Sequence, residues 1–440
     1  MDNQNLFAQT YNQIVSSALG GDGSNFQMLA NPINFAWPPA PTGQLSPNAF
    51  SFMNMAPKYE AIGTLNFGDS SFWSNYRQAL TVLTFKVSPT QQKNLQDLQN
   101  TLTDAQNNAS AIVTNAKTDY NTQLSNTGLD AMKVIYPSDG SFGNFFGATH
   151  WKTDYSNAQA TLETLNTQYN EMVVNLTTDP SLQNIMKMMA RPTVPVSGVA
   201  PSNGAWVKVP DSSGALQWQP SFNITGSGQQ MKMDLTAGTS GGFSVTLDAS
   251  NSSTKMNSAY AGAAVSARGW FWSASASGSY SQTNISESSN SIKATISVKA
   301  SASIPIDPGP WYDGGFMKKI AKNASGSGFG LLPPWQASGS GENVVFGNNG
   351  ILSARVRNLV AVFGKEVSIE MDSSTYESHA SSWASAASVG IGCFSFSANA
   401  GGSNFSAKTT GSRTTVTIKD TSTDPQIIGV NLAFPGTDSE

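Results

Sequence analysis

The chain has 440 residues, enough for two to four domains and a sizeable core. Charged residues make up only 12% against the roughly 25% usual for soluble proteins, aromatics stand at 10%, and the net charge is −4 with both signs interspersed. This composition excludes a disordered chain, and without a basic patch it argues against a nucleic-acid partner or charge-driven binding to anionic lipid.

One cysteine, Cys393, leaves no intramolecular disulfide framework and no multi-cysteine metal site. The opening MDNQNLFAQTYNQ lacks a basic and then apolar leader, and no run of about 18 apolar residues follows anywhere. The expectation is a protein synthesised soluble without a signal peptide, released or exported by a non-classical route, and acting extracellularly.

Residues 1–87 read as a loop-rich N-terminal region, with short helices near Leu6–Ala18 and Ser71–Leu83. Pro38, Pro39 and Pro41 forbid a continuous helix between them. Residues 88–190 change character. Leu95, Leu98, Leu102, Ala105, Ala109, Ile112 and Ala116 alternate spacings of three and four, the seam of a coiled coil. Ser88 and Pro89 suit an N-cap and the first helical position. Tyr155, Ala158, Leu162, Leu165, Tyr169, Met172 and Leu176 repeat the pattern, so the region is expected to form an antiparallel coiled-coil helical hairpin. Its connecting segment carries Phe142, Phe145, Phe146 and Trp151. These rings either fold back onto the hairpin or form an apolar tip that meets a membrane or partner.

From about residue 191 the chain reads as nearly all β. The segments MKMDLTAGTSGGFSVTLD and RNLVAVFGKEVSIEMD are each expected to be a hairpin around a glycine turn. An internal duplication is also visible, spanning about 243–299 and 367–419. FSVTLDAS, Phe243–Ser250, aligns with VSIEMDSS, Val367–Ser374, and a Ser/Ala-rich segment follows each. GWFWSASASG, Gly269–Gly278, then aligns with GCFSFSANAG, Gly392–Gly401, and each copy closes on a β run, ATISVKA or TTVTIKD.

On a strand starting at Trp270, one face carries Trp270, Trp272, Ala274, Ala276 and Tyr280, and the other carries Phe271 and then serines. The second copy places Phe394, Phe396 and Ala398 opposite Cys393, Ser395 and Ser397. Three readings fit such uncharged amphipathic strands of about ten residues: half-buried sandwich strands, strands spanning a bilayer, or strands stacked in a fibre. A bilayer-spanning strand needs an oligomer to close its ring.

The paired units, the helical hairpin and the absent leader resemble the general architecture of pore-forming toxins. FGATHW, Phe146–Trp151, partly resembles the Y-G-T-H-[FY] signature of perforin-like proteins. It stands before the candidate hairpins and lacks the downstream glycine pair, so no family is assigned.

Enzymatic patterns are missing. There are two histidines, His150 and His379, and no HExxH, CxxC, Walker A or dinucleotide-binding glycine pattern. Gly238–Gly242 fits G-x-S-x-G but falls at an expected turn, outside the strand-to-helix context of a nucleophile. Asp307 and Asp313 are too few oxygens for a Ca²⁺ site and read as turn residues.

The expectation is therefore an α+β multidomain protein with a long antiparallel helical hairpin and a predominantly antiparallel β-rich domain over 191–440. It needs no cofactor and no metal. The leading function is a non-enzymatic, homo-oligomerising pore-forming toxin of insecticidal type, acting on a target membrane or cell-surface receptor. The alternatives are a self-assembling fibre or tube subunit and a glycan-binding adhesion module.

Overall fold

The computed structural model describes residues 3–19, 23, 25–29, 47–59, 63, 65, 70–85, 88–136, 140–176, 206–210, 216–224, 228–238, 241–248, 273–275, 281–282, 292–323, 329–385, 388–397 and 404–437. The chain is mixed α+β, and its described sheets are antiparallel.

The N-terminal part holds α1 (Asn3–Ala18), β1 (Phe26–Met28), α2 (Pro47–Met53), α3 (Phe72–Thr81) and β2 (Leu83–Phe85). A long helical section follows, with α4 (Pro89–Thr127), α5 (Leu129–Ile135), α6 (Phe142–Ala148) and α7 (His150–Leu176). Next come β3 (Trp206–Pro210), β4 (Leu216–Pro220), β5 (Phe222–Ile224), α8 (Gly228–Ala237), β6 (Phe243–Asp248), β7 (Ser273–Ser275), β8 (Ser281–Gln282) and β9 (Lys293–Pro308). The rest comprises α9 (Gly314–Asn323), β10 (Phe329–Leu331), β11 (Arg355–Asp372), α10 (Ser373–Ser385), β12 (Ser388–Ile391), β13 (Phe394–Ser397), β14 (Phe405–Thr410), β15 (Arg413–Lys419) and β16 (Gln426–Ala433).

α4 starts where its sequence says it should. Ser88 and Gln91 form a capping box, with the Ser88 side chain accepting from the Gln91 amide and the Gln91 side chain accepting from the Ser88 amide. The helix runs 39 residues, about 58 Å at 1.5 Å per residue, and ends on Gly128 at φ +78°. Leu95, Leu102, Ala109, Val113 and Ala116 are buried on one side, against the buried Tyr155, Ala158, Leu162 and Tyr169 of α7. Gln99 Nε2 donates to Tyr169 Oη at 2.9 Å, and Trp151 Nε1 donates to Asp119 Oδ2 at 3.2 Å. A late residue of one helix thus meets an early residue of the other.

The main sheet is built on two long strands, β9 with 16 residues and β11 with 18, paired antiparallel from Asn358↔Pro305 to Glu370↔Lys293. Each is flanked by two shorter strands in succession. β11 pairs with β16 over its first half and with β15 over its second. β9 pairs with β6 near its start and β5 near its end. One half of the sheet therefore reads β6-β9-β11-β15-β14, and the other β5-β9-β11-β16-β1. Val245, Leu247, Ile296, Val367, Ile369, Val416 and Ile418 are buried on one face.

Three readings of this region are corrected. RNLVAVFGKEVSIEMD is one continuous strand and not a hairpin. Gly364, at φ +66°, stands where β16 gives way to β15, and a Cβ there would lie 2.8 Å from Lys299 Cβ. The glycine therefore serves a close approach rather than a turn. MKMDLTA belongs to the helix α8, whose Leu235 is fully buried. Tertiary burial of that leucine overrides an alternation that fits either period over so few residues. The region is also less purely β than expected, since α8, α9 and α10 all lie within it.

Opposite the β6 half, Phe72, Tyr76, Trp311 and Phe222 pack ring against ring, joining α3, β5 and the loop after β9. Trp311 Nε1 donates to the Ser221 carbonyl at 2.6 Å, so this large side chain is buried with its polar atom satisfied. In the same loop Asp313 Oδ1 accepts from the Phe316 amide at 2.8 Å and caps α9.

Candidate functional site

β6 ends at Asp248 and β9 begins at Lys293, and these two residues are register partners. β11 ends at Asp372 and β15 begins at Arg413, again register partners. Lys293 is also paired with Glu370, so both exits lie at one end of the sheet. Two connecting segments leave from that end, 249–292 and 373–404, and the second rejoins the main sheet as β14 before the chain turns into β15. Arg413 fastens the second exit, with Nε donating to Glu370 Oε1 and a terminal nitrogen donating to Asp372 Oδ1, each at 3.0 Å.

Beyond the exits, the described parts of the two segments meet. β7 from the first pairs with β12 from the second, through Ser273↔Gly390, Ala274↔Val389 and Ser275↔Ser388. β12 turns at Gly392, φ +57°, into β13, and β8 pairs antiparallel with β7 on its other side. The result is a four-stranded sheet in the order β13-β12-β7-β8, separate from the main one.

This small sheet is held down by Asp420, just after β15, and Gln426, the first residue of β16. Gln426 Oε1 accepts from the Ser395 amide at 3.0 Å, and its Nε2 donates to the Cys393 carbonyl at 2.9 Å. Asp420 Oδ1 accepts from the Ser397 amide at 3.0 Å and from the Ser422 amide at 3.2 Å. The second carboxylate oxygen of Asp420 lies 2.6 Å from Lys365 Nζ, with the two side chains only 4% and 2% exposed. Burial lowers the proton affinity of Lys365, and the Asp420 charge acts against that. Phe394, Phe396, Val389 and Ile391 are buried beneath these polar contacts. Cys393 is fully buried as well, and burial pushes its thiol pKa well up.

Of the expected contact residues, Phe394 and Phe396 therefore lie in the interior, and the opposite face of β13, with Cys393 and Ser395, is buried too. Among the described residues the expected strands are represented by β13, Phe394–Ser397, and β7, Ser273–Ser275, and the remaining parts of Gly269–Gly278 and Ala398–Gly401 lie outside those residues. The second Ser/Ala segment, 374–392, begins in the helix α10 and ends in β12, which pairs antiparallel with β13. Ala274 is placed in β7. Trp270, Trp272, Ala276, Tyr280 and Ala398 lie outside the described residues, as does the first Ser/Ala segment.

At the far end of the helical section, Phe145 and Phe146 are buried, Phe142 and Trp151 half-buried. Phe145 packs on Tyr120 and Tyr136, and Phe146 on Tyr155. These rings face inward and hold the tip together.

A separate polar cavity of about 360 Å³ lies at the other end of the main sheet. Asn25, Pro305, Asp307, Arg357, Asn358, Asn431 and Leu432 line it. Asn431 Oδ1 is buried there without a hydrogen-bond partner. His150 is exposed, 3.8 Å from Asp154, and no cluster able to hold a metal ion occurs among the described residues. No helix among them is long and apolar enough to cross a membrane.

Sequence reasoning missed the polar contacts that seat the small sheet. A signal was present. Lys365 shares the alternation of the buried Val367, Ile369 and Met371, and Asp420 shares that of Val416 and Ile418. Two opposite charges in buried phase on strands expected to lie near each other would have suggested the pair.

No family model, no curated protein and no solved structure matches this chain.

Proposed function

We propose that the protein is a non-enzymatic, homo-oligomerising pore former, in which the inserts 249–292 and 373–404, docked through β7, β8, β12 and β13, are released and enter a target membrane as amphipathic β-hairpins. The observation that carries the reading is the shared exit. Both segments depart from one end of the sheet, where two spanning hairpins would have to be delivered side by side. A bilayer-spanning strand takes roughly 9–11 residues, so each segment is long enough for two. Charge is sparse in both: the first carries Lys255, Arg268 and Glu287, and the second carries Glu377.

The internal duplication fits the same picture. Each copy is a strand, an insert and a return strand, closed by an acid–base register pair: Asp248 with Lys293 and Asp372 with Arg413. In this reading the antiparallel α4–α7 pair is the helical hairpin of the pore former.

The test is purified protein added to dye-loaded liposomes, with the same sample imaged by negative-stain electron microscopy. Dye release with ring-shaped particles supports the reading. Intact liposomes beside regular fibres would favour the second reading, a self-assembling subunit. That alternative draws on β14, exposed along nearly its whole length and with no described strand on its outer edge.

A further inference from the structure

The polar cavity of about 360 Å³ lies where the two central strands part. The β9–β11 ladder closes at Asn358↔Pro305, and Pro305 has no N–H to carry it further. Beyond that pair β9 turns to β5, through Ile306↔Ile224 and Asp307↔Asn223, while β11 continues along β16. Arg357 stands at this parting. It is the one extra residue of a β-bulge between Val356↔Leu432 and Asn358↔Asn431. Regular alternation would send Arg357 and Asn358 to opposite faces, yet both line the cavity, because the bulge re-aims the strand. Asn358 is the register partner of both Asn431 and Pro305, so these three side chains share a face. Asn358 Nδ2 donates to Ser303 Oγ at 3.0 Å, which fixes its amide, and Asn431 Oδ1 is buried without a hydrogen-bond partner. Asn25, whose carbonyl accepts from the Leu432 amide at 2.8 Å, adds a third carboxamide to the wall.

We infer that this cleft binds a neutral carbohydrate of one or two pyranose rings. The charge of Arg357 is offset by that of Asp307, so the lining carries no net charge to select a phosphate or a carboxylate. No aromatic side chain lines the cavity, so a nucleobase has nothing to stack on. Three carboxamides, a carboxylate and a guanidinium together offer donors and acceptors in the mixture that vicinal hydroxyls need, since each hydroxyl both donates and accepts. A hydroxyl donating to Asn431 Oδ1 would relieve the cost of a buried acceptor left unpaired. Pro305 and Leu432 supply a small apolar surface for the C–H face of a ring. The volume stands near the low end of the roughly 300–1,000 Å³ of ligand pockets, which suits a small sugar. Arg357, Asn358, Asn431 and Asp307 all sit on strands of the main sheet, so the site is largely formed before a ligand arrives. It lies at the end of the sheet away from the two inserts, and sugar binding there does not depend on the pore reading.

The test is saturation-transfer NMR on the full chain with the methyl glycosides of glucose, galactose, mannose and N-acetylglucosamine, and with inorganic phosphate as a charged competitor. At least one glycoside binds in the millimolar range, and phosphate does not displace it. Asp307→Ala and Arg357→Ala, both at exposed positions, each weaken that glycoside at least tenfold with unchanged melting. Asp307→Asn, which keeps an oxygen acceptor, loses less than Asp307→Ala. The inference is overturned if none of the four glycosides binds, if phosphate displaces the one that does, or if the variants bind it like the parent, which would place the sugar elsewhere on the chain. No membrane enters the measurement, so its outcome is separate from that of the liposome test.

Discussion

Gln13 and Thr246 exchange two hydrogen bonds: Gln13 Nε2 donates to the Thr246 carbonyl at 2.7 Å, and Gln13 Oε1 accepts from the Thr246 amide at 2.6 Å. One helical turn earlier, Gln9 Oε1 accepts from the Asp248 amide at 3.2 Å. These side chains of α1 occupy the positions that the backbone of a neighbouring strand would take along β6. Edge strands left bare invite pairing with another chain, and here one edge of the sheet is covered by amide side chains.

Gln13→Ala should therefore destabilise the protein by about 1–3 kcal/mol, because both backbone groups of Thr246 lose their partner. Thermal melting measures this. Sedimentation velocity should also show increased self-association, since the uncovered edge is free to pair. A variant that melts like the parent and stays equally dispersed would remove the role of α1 as an edge cover.

The ion pair beneath the small sheet makes a different forecast. Lys365→Met leaves Asp420 buried and uncompensated, and should cost about 3–5 kcal/mol. The double variant Lys365→Met, Asp420→Asn should recover most of that, because asparagine still offers an oxygen to the Ser397 and Ser422 amides. Chemical denaturation of the parent and both variants reads the difference. Equal losses in the single and double variants would mean that the cost lies in packing and not in charge.

In the helical section, Leu162 is 1% exposed and should cost about 2–5 kcal/mol on truncation to alanine. Phe145→Ala should cost about 3–5 kcal/mol, since the ring is fully buried between Tyr120 and Tyr136. Near-parental melting of Phe145→Ala would return the aromatic tip to the list of surface contacts.

How much of this was legible follows from the length scale of each signal. α4 declared itself because an unbroken seam spacing from Leu95 to Ala116 sits behind a serine–proline start, and no competing period survives that long. β11 was misread because a glycine inside alternating residues looks the same whether it turns the chain or makes room for Lys299. α8 was misread because ten residues are too few to separate the two periods. The ends of the inserts were visible in the sequence as repeats, but their convergence at one end of the sheet depends on the register of β9 against β11, strands distant in sequence. The covering of β6 by Gln9 and Gln13 was not legible, as the two partners are more than 230 residues distant and glutamine on a helix carries no signature of this use.

Cys393 offers an internal reporter of the docked state. Its thiol is fully buried and its pKa raised, so at pH 8 it should react with a disulfide reagent orders of magnitude more slowly than a free thiol. Adding liposomes should accelerate labelling if β13 leaves its seat. Labelling that is fast before liposomes are added would show that the hairpin is not held down in solution.

The central claim is that the two inserts pass from the docked sheet into lipid, and β7 tests it most directly. An environment-sensitive dye is placed in turn on Ala274→Cys and Ser275→Cys, each in a Cys393→Ser background, and its emission is followed as liposomes are added. Adjacent strand residues point to opposite faces, so one should meet lipid and the other water. The account predicts a blue shift at 274 and little change at 275. Unchanged emission at both positions, in a sample that is releasing its dye cargo, would contradict it.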